Sequence, residues 1–181
     1  MKNLQFMAFV AFAALTISSC SPSLSPFTEK LYQQNKWDDD ELKRIQFYLS
    51  NDVVLQRKRT EGSSKIISGE IKVINGEEIE QVTIKHGTPG VFLFRKGDDK
   101  FAIGFESSNT RYLVFGPNPK RRGYYVLMAS DWDNRQGKIE YDSKTFYTMS
   151  ESVSAILLVD LKKATRTSVK SRTAKGRKID R

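Results

Sequence analysis

The single histidine of this 181-residue chain, His86, stands just before Gly87-Thr88-Pro89-Gly90. A histidine at a strand end could act as a general base, because its pKa lies near neutrality. No G-x-S-x-G elbow and no S-x-x-K pair accompanies the serines around it, so His86 reads as an exposed turn residue. Asp131-Trp132-Asp133-Asn134 spaces oxygen donors like the start of a calcium loop. Such a loop needs an oxygen ligand at its fifth position, Gly at its sixth and Glu at its twelfth. Here those places hold Arg135, Gln136 and Asp142, so the stretch reads as a polar turn. Glu70, Glu77, Glu78 and Glu80 could furnish the paired carboxylates of a glycoside hydrolase. Glu78 and Glu80 alternate with Ile79 and Gln81, however, which is the pattern of a solvated outer sheet face. Gly87 and Gly90 do not open a helix and lack the lysine of a phosphate loop. One histidine and one cysteine cannot make a zinc site of common composition. The residues thus place no catalytic constellation, no metal site and no cofactor.

What they do place is positive charge. Lys120-Arg121-Arg122 crowds three cations into one turn after Pro117 and Pro119, with Tyr124-Tyr125 directly behind. Such a loop could hold phosphate or carboxylate groups, arginine giving two-pronged contacts. Farther on, Lys162, Lys163, Arg166, Lys170 and Arg172 open a strongly basic strip. Residues 161–181 contain nine basic groups and one acid, Asp180, whereas residues 20–160 contain 20 of each sign. The chain is a neutral body with a cationic appendage, and such a strip associates with polyanions at low salt whatever their identity.

The elements that must position these residues are mostly strands. Asp38 and Glu41 have the spacing of a capping box, and Trp37 and Leu42 that of a hydrophobic staple. Leu42, Ile45 and Leu49 then repeat with helical period, which predicts a helix over 38–50. From Val53 onward the period becomes two and the residues β-branched or aromatic. The expected strands are 53–59, 65–74, 77–86, 91–95, 100–106, 110–115, 123–129, 137–142, 144–149 and 155–162. Asn75-Gly76 is a strong hairpin signal, and Gly97-Asp98-Asp99, Gly116-Pro117-Asn118-Pro119 and Asp142-Ser143 read as further turns. The fold class is mainly β, an antiparallel sandwich or partly closed barrel of about ten short strands with one N-terminal helix. Residues 21–36, with Pro22 and Pro26 among serines and glutamines, read as a spacer. After Leu161 too few large aliphatics remain to offset the entropy of ordering, so a disordered basic tail is expected.

The first twenty residues carry a different signal. Lys2 is followed by an apolar stretch from Leu4 to Leu15, broken only by Gln5, and then by Ile17-Ser18-Ser19-Cys20. This is the build of a secretory signal peptide, and its apolar run falls short of the about 20 residues that cross a bilayer. The Ile17-Cys20 sequence resembles a lipobox, and the chain in this respect resembles the bacterial lipoproteins. The resemblance covers residues 1–20 alone. It implies cleavage before Cys20 and attachment of diacylglycerol to its thiol, with acylation (palmitate, for example) of the new amino terminus. It also implies an outer-membrane location, since Ser21 rather than Asp follows the cysteine, and a periplasm-facing one, since SPSLSP lacks a surface-export signal. The organisation expected is then a signal peptide over 1–19, a lipidated flexible spacer over 20–37, one β-rich domain over 38–161 and a basic tail over 162–181. The function expected is that of a non-catalytic, membrane-anchored envelope lipoprotein, an interaction or assembly subunit of the kind found in trans-envelope secretion or conjugation machines. The alternative is a periplasmic binding lipoprotein for anionic cell-wall or lipid glycans. A third reading, a cell-wall hydrolase, needs carboxylates that the sequence does not place. Partners are the membrane through its anchor, and an envelope protein or an anionic glycan or lipid; nucleic acid is not expected.

Overall fold

The computed structural model describes residues 23–59, 70–74, 76–133 and 136–164. Among these residues the chain runs through β1 (Leu24–Pro26), helix α1 (Glu29–Asn35), the single turn α2 (Asp39–Leu42), β2 (Gln46–Leu49), β3 (Val53–Lys58), β4 (Glu70–Ile74) and β5 (Glu77–Ile84). It continues through β6 (Pro89–Arg95), β7 (Phe101–Gly104), β8 (Tyr112–Asn118), β9 (Tyr124–Met128), β10 (Asp131–Asp133), β11 (Gln136–Tyr141), β12 (Lys144–Thr148), β13 (Leu157–Asp160) and the turn α3 (Leu161–Ala164). Two antiparallel sheets result, ordered β1-β13-β2-β6-β7-β8-β9 and β10-β11-β12-β3-β5-β4. The molecule is the mainly β, sandwich-like fold expected. Isolated bridges Thr28↔Tyr124 and Val126↔Ile156 draw the ends of the larger sheet toward each other without a continuous ladder. It curls but does not close.

The interior is aromatic. Phe27, Phe47, Phe101 and Tyr125 are all fully buried, and the Phe27 ring lies 4.8 Å from that of Tyr125 and 5.3 Å from that of Phe47. Edge-to-face packing of this kind adds to the area that such rings bury.

Several expectations are corrected. Residues 24–37 are not a spacer: β1 pairs with β13 through Leu24↔Asp160 to Pro26↔Leu158, and Phe27 and Trp37 are buried. The Thr28 hydroxyl caps α1 by accepting from the Leu31 amide at 3.0 Å. The helix expected over 38–50 is only α2, with its capping box formed as anticipated. Ile45, Phe47 and Leu49 then bury at period two, and Gln46–Leu49 form β2. Gly116-Pro117-Asn118 belongs to β8, opposite Val126, Tyr125 and Tyr124. Proline is tolerated there because the pairing of β8 with β7 ends at Phe115. Asp131-Trp132-Asp133 is not a turn but the short edge strand β10. The hairpin signal at 75–76 joins β4 to β5, with Gly76 at φ 82°. Residues 65–69 of the expected second strand lie outside the described residues. Among the described residues no helix is long and apolar enough to cross a membrane.

Candidate functional site

On β8 the side chains alternate. Leu113 and Phe115 enter the core, while Tyr112 and Val114 turn to the other face. There they form the floor of a cleft of about 440 Å3, together with Met128 of β9 and Ile139 of β11. Its walls are cationic: Lys96 and Lys100 bracket the β6–β7 turn, Lys138 stands on β11 and Lys144 opens β12. One acid, Glu140, also lines it, with the hydroxyl residues Ser130, Ser143 and Thr145. Four lysines against one glutamate leave the lining at +3.

Local structure explains why these groups meet. The β6–β7 turn is closed by the Lys96 amide donating to the Lys100 carbonyl at 2.8 Å, with Gly97 at φ 89° between them. The Lys100 stem lies across Gly116, where an added Cβ would come within 3.2 Å of it and 3.4 Å of Met128. The absent side chain therefore leaves room for Lys100 to lie beside the floor. The other wall hangs on the Asp142-Ser143 hairpin, both residues at positive φ. This costly turn is held from the loop that joins β7 to β8 of the opposite sheet: Asp142 Oδ1 accepts from the Thr110 hydroxyl at 2.7 Å, and its amide donates to the Thr110 carbonyl at 3.0 Å. The Thr110 hydroxyl, with Arg111 beside it, holds the Asp142 carboxyl below the usual aspartate value of 3.8. Next to it, the Tyr141 hydroxyl donates to Glu106, and burial above all pushes its pKa well upward. This network fastens the two sheets together behind the cleft.

The residues predicted from sequence are placed elsewhere. Lys120 and Arg121 form a 3-10 turn with Pro119, Arg122 follows at φ 56°, and all three side chains are exposed. Asn118 Oδ1 accepts from the Lys120 amide, and Arg121 donates to the Ser154 carbonyl at 3.3 Å. Tyr125, directly behind this loop in sequence, is fully buried against Phe27 and Phe101. Lys162 and Lys163 lie on α3, where the Asp160 carboxylate accepts from the Lys162 amide and pairs with Lys163 at 3.8 Å. Cys20, Arg166, Lys170 and Arg172 lie outside the described residues. His86 sits in an exposed turn as expected, its ring and amide both bonded to Asp52 Oδ1, at 2.9 and 2.8 Å. Glu80 is corrected from a solvated face: it is buried, with Arg57 Nε donating to it at 2.7 Å.

Lys96, Lys100, Lys138 and Lys144 escape sequence reading because no two are adjacent. Only the outward alternation of Lys138 and Glu140 and the bracketing of a turn by Lys96 and Lys100 hint at them. Comparisons with protein-family models, with curated proteins and with solved structures found no match to this chain.

Proposed function

We propose that this protein is an envelope lipoprotein, anchored through Cys20 in the outer membrane and facing the periplasm, whose β-domain is a non-catalytic binding module for an anionic glycan. One observation carries the reading: four lysines from both sheets converge on a cleft with a half-apolar floor and a rim of hydroxyls. Lysine is a compact point charge on a flexible stem, suited to phosphates or carboxylates scattered along a ligand rather than to one planar group. The hydroxyls of Ser130, Ser143 and Thr145 offer the donors and acceptors that sugar hydroxyls require. Tyr112, Val114 and Met128 offer apolar surface to a sugar ring.

The test is calorimetric titration of the full chain carrying Cys20→Ser with a phosphorylated saccharide and with its unphosphorylated parent. Only the phosphorylated one should bind. Lys138→Gln with Lys144→Gln should weaken it by about tenfold or more, because a hydrogen bond to a charged group contributes about 1.5–3 kcal/mol. Replacing Lys120, Arg121 and Arg122 by glutamine should leave affinity unchanged; the opposite pattern would move the site to that turn. The anchor is tested separately, by fatty-acid labelling that Cys20→Ala should abolish.

A second reading, an assembly subunit that docks another envelope protein, is favoured by β4. Among the described residues it ends its sheet and leaves Ile71 and Val73 37% and 71% exposed, an edge of the kind that strand addition uses.

A further inference from the structure

Beside the lysine cleft lies a second hollow, and the two share a side chain. Tyr147, Thr145, Gln56, Gln136 and Ile79 line a groove of about 480 Å3 on the smaller sheet. Its origin is in the strand pairing. β12 joins β3 only at Tyr147↔Gln56 and Thr148↔Leu55. Yet β3 runs on beside β5 to Lys58↔Ile79, and β12 runs back beside β11 to Tyr141↔Lys144. Beyond Tyr147 and Gln56 the two strand pairs part, and the groove is the opening between them. Thr145 lines both this groove and the cleft. Tyr147 of the groove also stands directly opposite Lys138 of the cleft.

The two hollows differ in chemistry. The cleft is lined at +3. The groove also has Arg57 and Lys58 in its lining, but each is matched by its own carboxylate: Arg57 Nε donates to Glu80 at 2.7 Å, and Lys58 Nζ to Glu77 at 2.9 Å. What the groove offers a ligand is neutral. The Tyr147 ring is 45% exposed, and Gln56 and Gln136 bring amides. Gln56 Nε2 donates to Gln81 Oε1 at 2.9 Å, so that amide is held in place before a ligand arrives. A sugar ring can lay its apolar face on the tyrosine and bond its hydroxyls to the amides.

We infer that the groove is a second sugar subsite, holding an uncharged residue joined to the anionic one in the cleft. The ligand is then an oligosaccharide of at least two residues that crosses β12 over Thr145. This rests on the cleft reading above and adds the length and order of the ligand. Neighbouring strands lie about 4.8 Å apart, so Lys138 and Tyr147 are separated by a step that one sugar ring spans. A single anionic sugar would fill the cleft and leave Tyr147 uncovered.

The test titrates the full Cys20→Ser chain with two ligands, a phosphorylated monosaccharide and a disaccharide that joins the same phosphorylated residue to an uncharged one. The disaccharide should bind about tenfold tighter, a gain that one or two added hydrogen bonds supply. Tyr147→Ala with Gln56→Ala should abolish that preference and leave monosaccharide affinity unchanged, which also shows that fold and cleft are intact. Tyr147→Phe, which keeps the ring, should keep most of the preference. Equal affinity of the parent chain for the two ligands would overturn the inference, as would a preference that survives the double substitution. Should the double variant lose the monosaccharide as well, Gln136→Ala at the exposed start of β11 decides instead: a preference that it lowers supports the subsite, and one that it leaves intact overturns it. The two readings fail separately. Monosaccharide binding without a disaccharide preference removes the second subsite and leaves the cleft standing, whereas binding of neither ligand removes the cleft and the subsite with it.

Discussion

Arg57 and Glu80 face each other across β3 and β5, with Glu80 only 2% and Arg57 18% exposed. A carboxylate out of water is stable there because the guanidinium neutralises it, and the Arg57 fork also lies over the Phe146 ring at 5.6 Å. Arg57→Met should therefore destabilise by roughly 3–5 kcal/mol, leaving an uncompensated buried charge, and Arg57→Met with Glu80→Leu should recover much of that loss. Urea unfolding of both variants checks this. The sequence could not reveal the pair, since a glutamate in an alternating strand is exposed by default and its partner lies 23 positions earlier. Acid titrates a different set. Asp142 is held below 3.8 by Thr110 and Arg111, and Asp52 well below it by the His86 amide, the His86 ring and Lys85. A carboxylate with a depressed folded pKa contributes stability that is present above its unfolded value and is lost as pH falls toward the folded one. The unfolding midpoint should thus drop as pH passes below 3.8, and this acid limb should flatten in Asp142→Asn and in Asp52→Asn. A limb that is unchanged in both variants would show that other groups control acid unfolding.

At the scale of elements, the alternating strands from Val53 onward and the capping box at Asp38 were legible, because a period of two and a cap are local signals. The N-terminal third was not. Leu42, Ile45 and Leu49 fit a helix, yet Ile45, Phe47 and Leu49 fit a strand equally well, and the strand wins because it adds Phe47 to the core between β13 and β6. The stretch before it looked irregular through its prolines and glutamines, although Thr28 had the chemistry of an N-cap, with Phe27 and Tyr32 at staple spacing. Both rings pack on Phe101, at 6.0 and 5.3 Å. A bulge in β6 after Phe92 likewise cannot be read from alternation; it leaves Phe94 40% exposed. It also aims Arg95 inward to Tyr32, Asp39 and the Trp37 carbonyl, pinning α1 and α2 to the sheet. Phe27→Ala should accordingly cost roughly 3–5 kcal/mol, measured by thermal or urea unfolding. A spacer residue would cost nothing.

At the scale of the whole molecule, the proposed function rests on charge, which is distributed on two levels. The basic strip after Leu161 is visible in a count, whereas the lysines of the cleft are spread from residue 96 to residue 144 and converge only when the two sheets pack. The central claim is that an anion sits among those four side chains. Amine-reactive footprinting reads this most directly: the full chain is modified with and without a phosphorylated saccharide, and each lysine is followed by mass spectrometry. Lys96, Lys100, Lys138 and Lys144 should be protected together, with Lys43, Lys58 and Lys120 reacting as before. Protection confined to Lys120 or to the lysines after Leu161, with the cleft lysines unchanged, would contradict it.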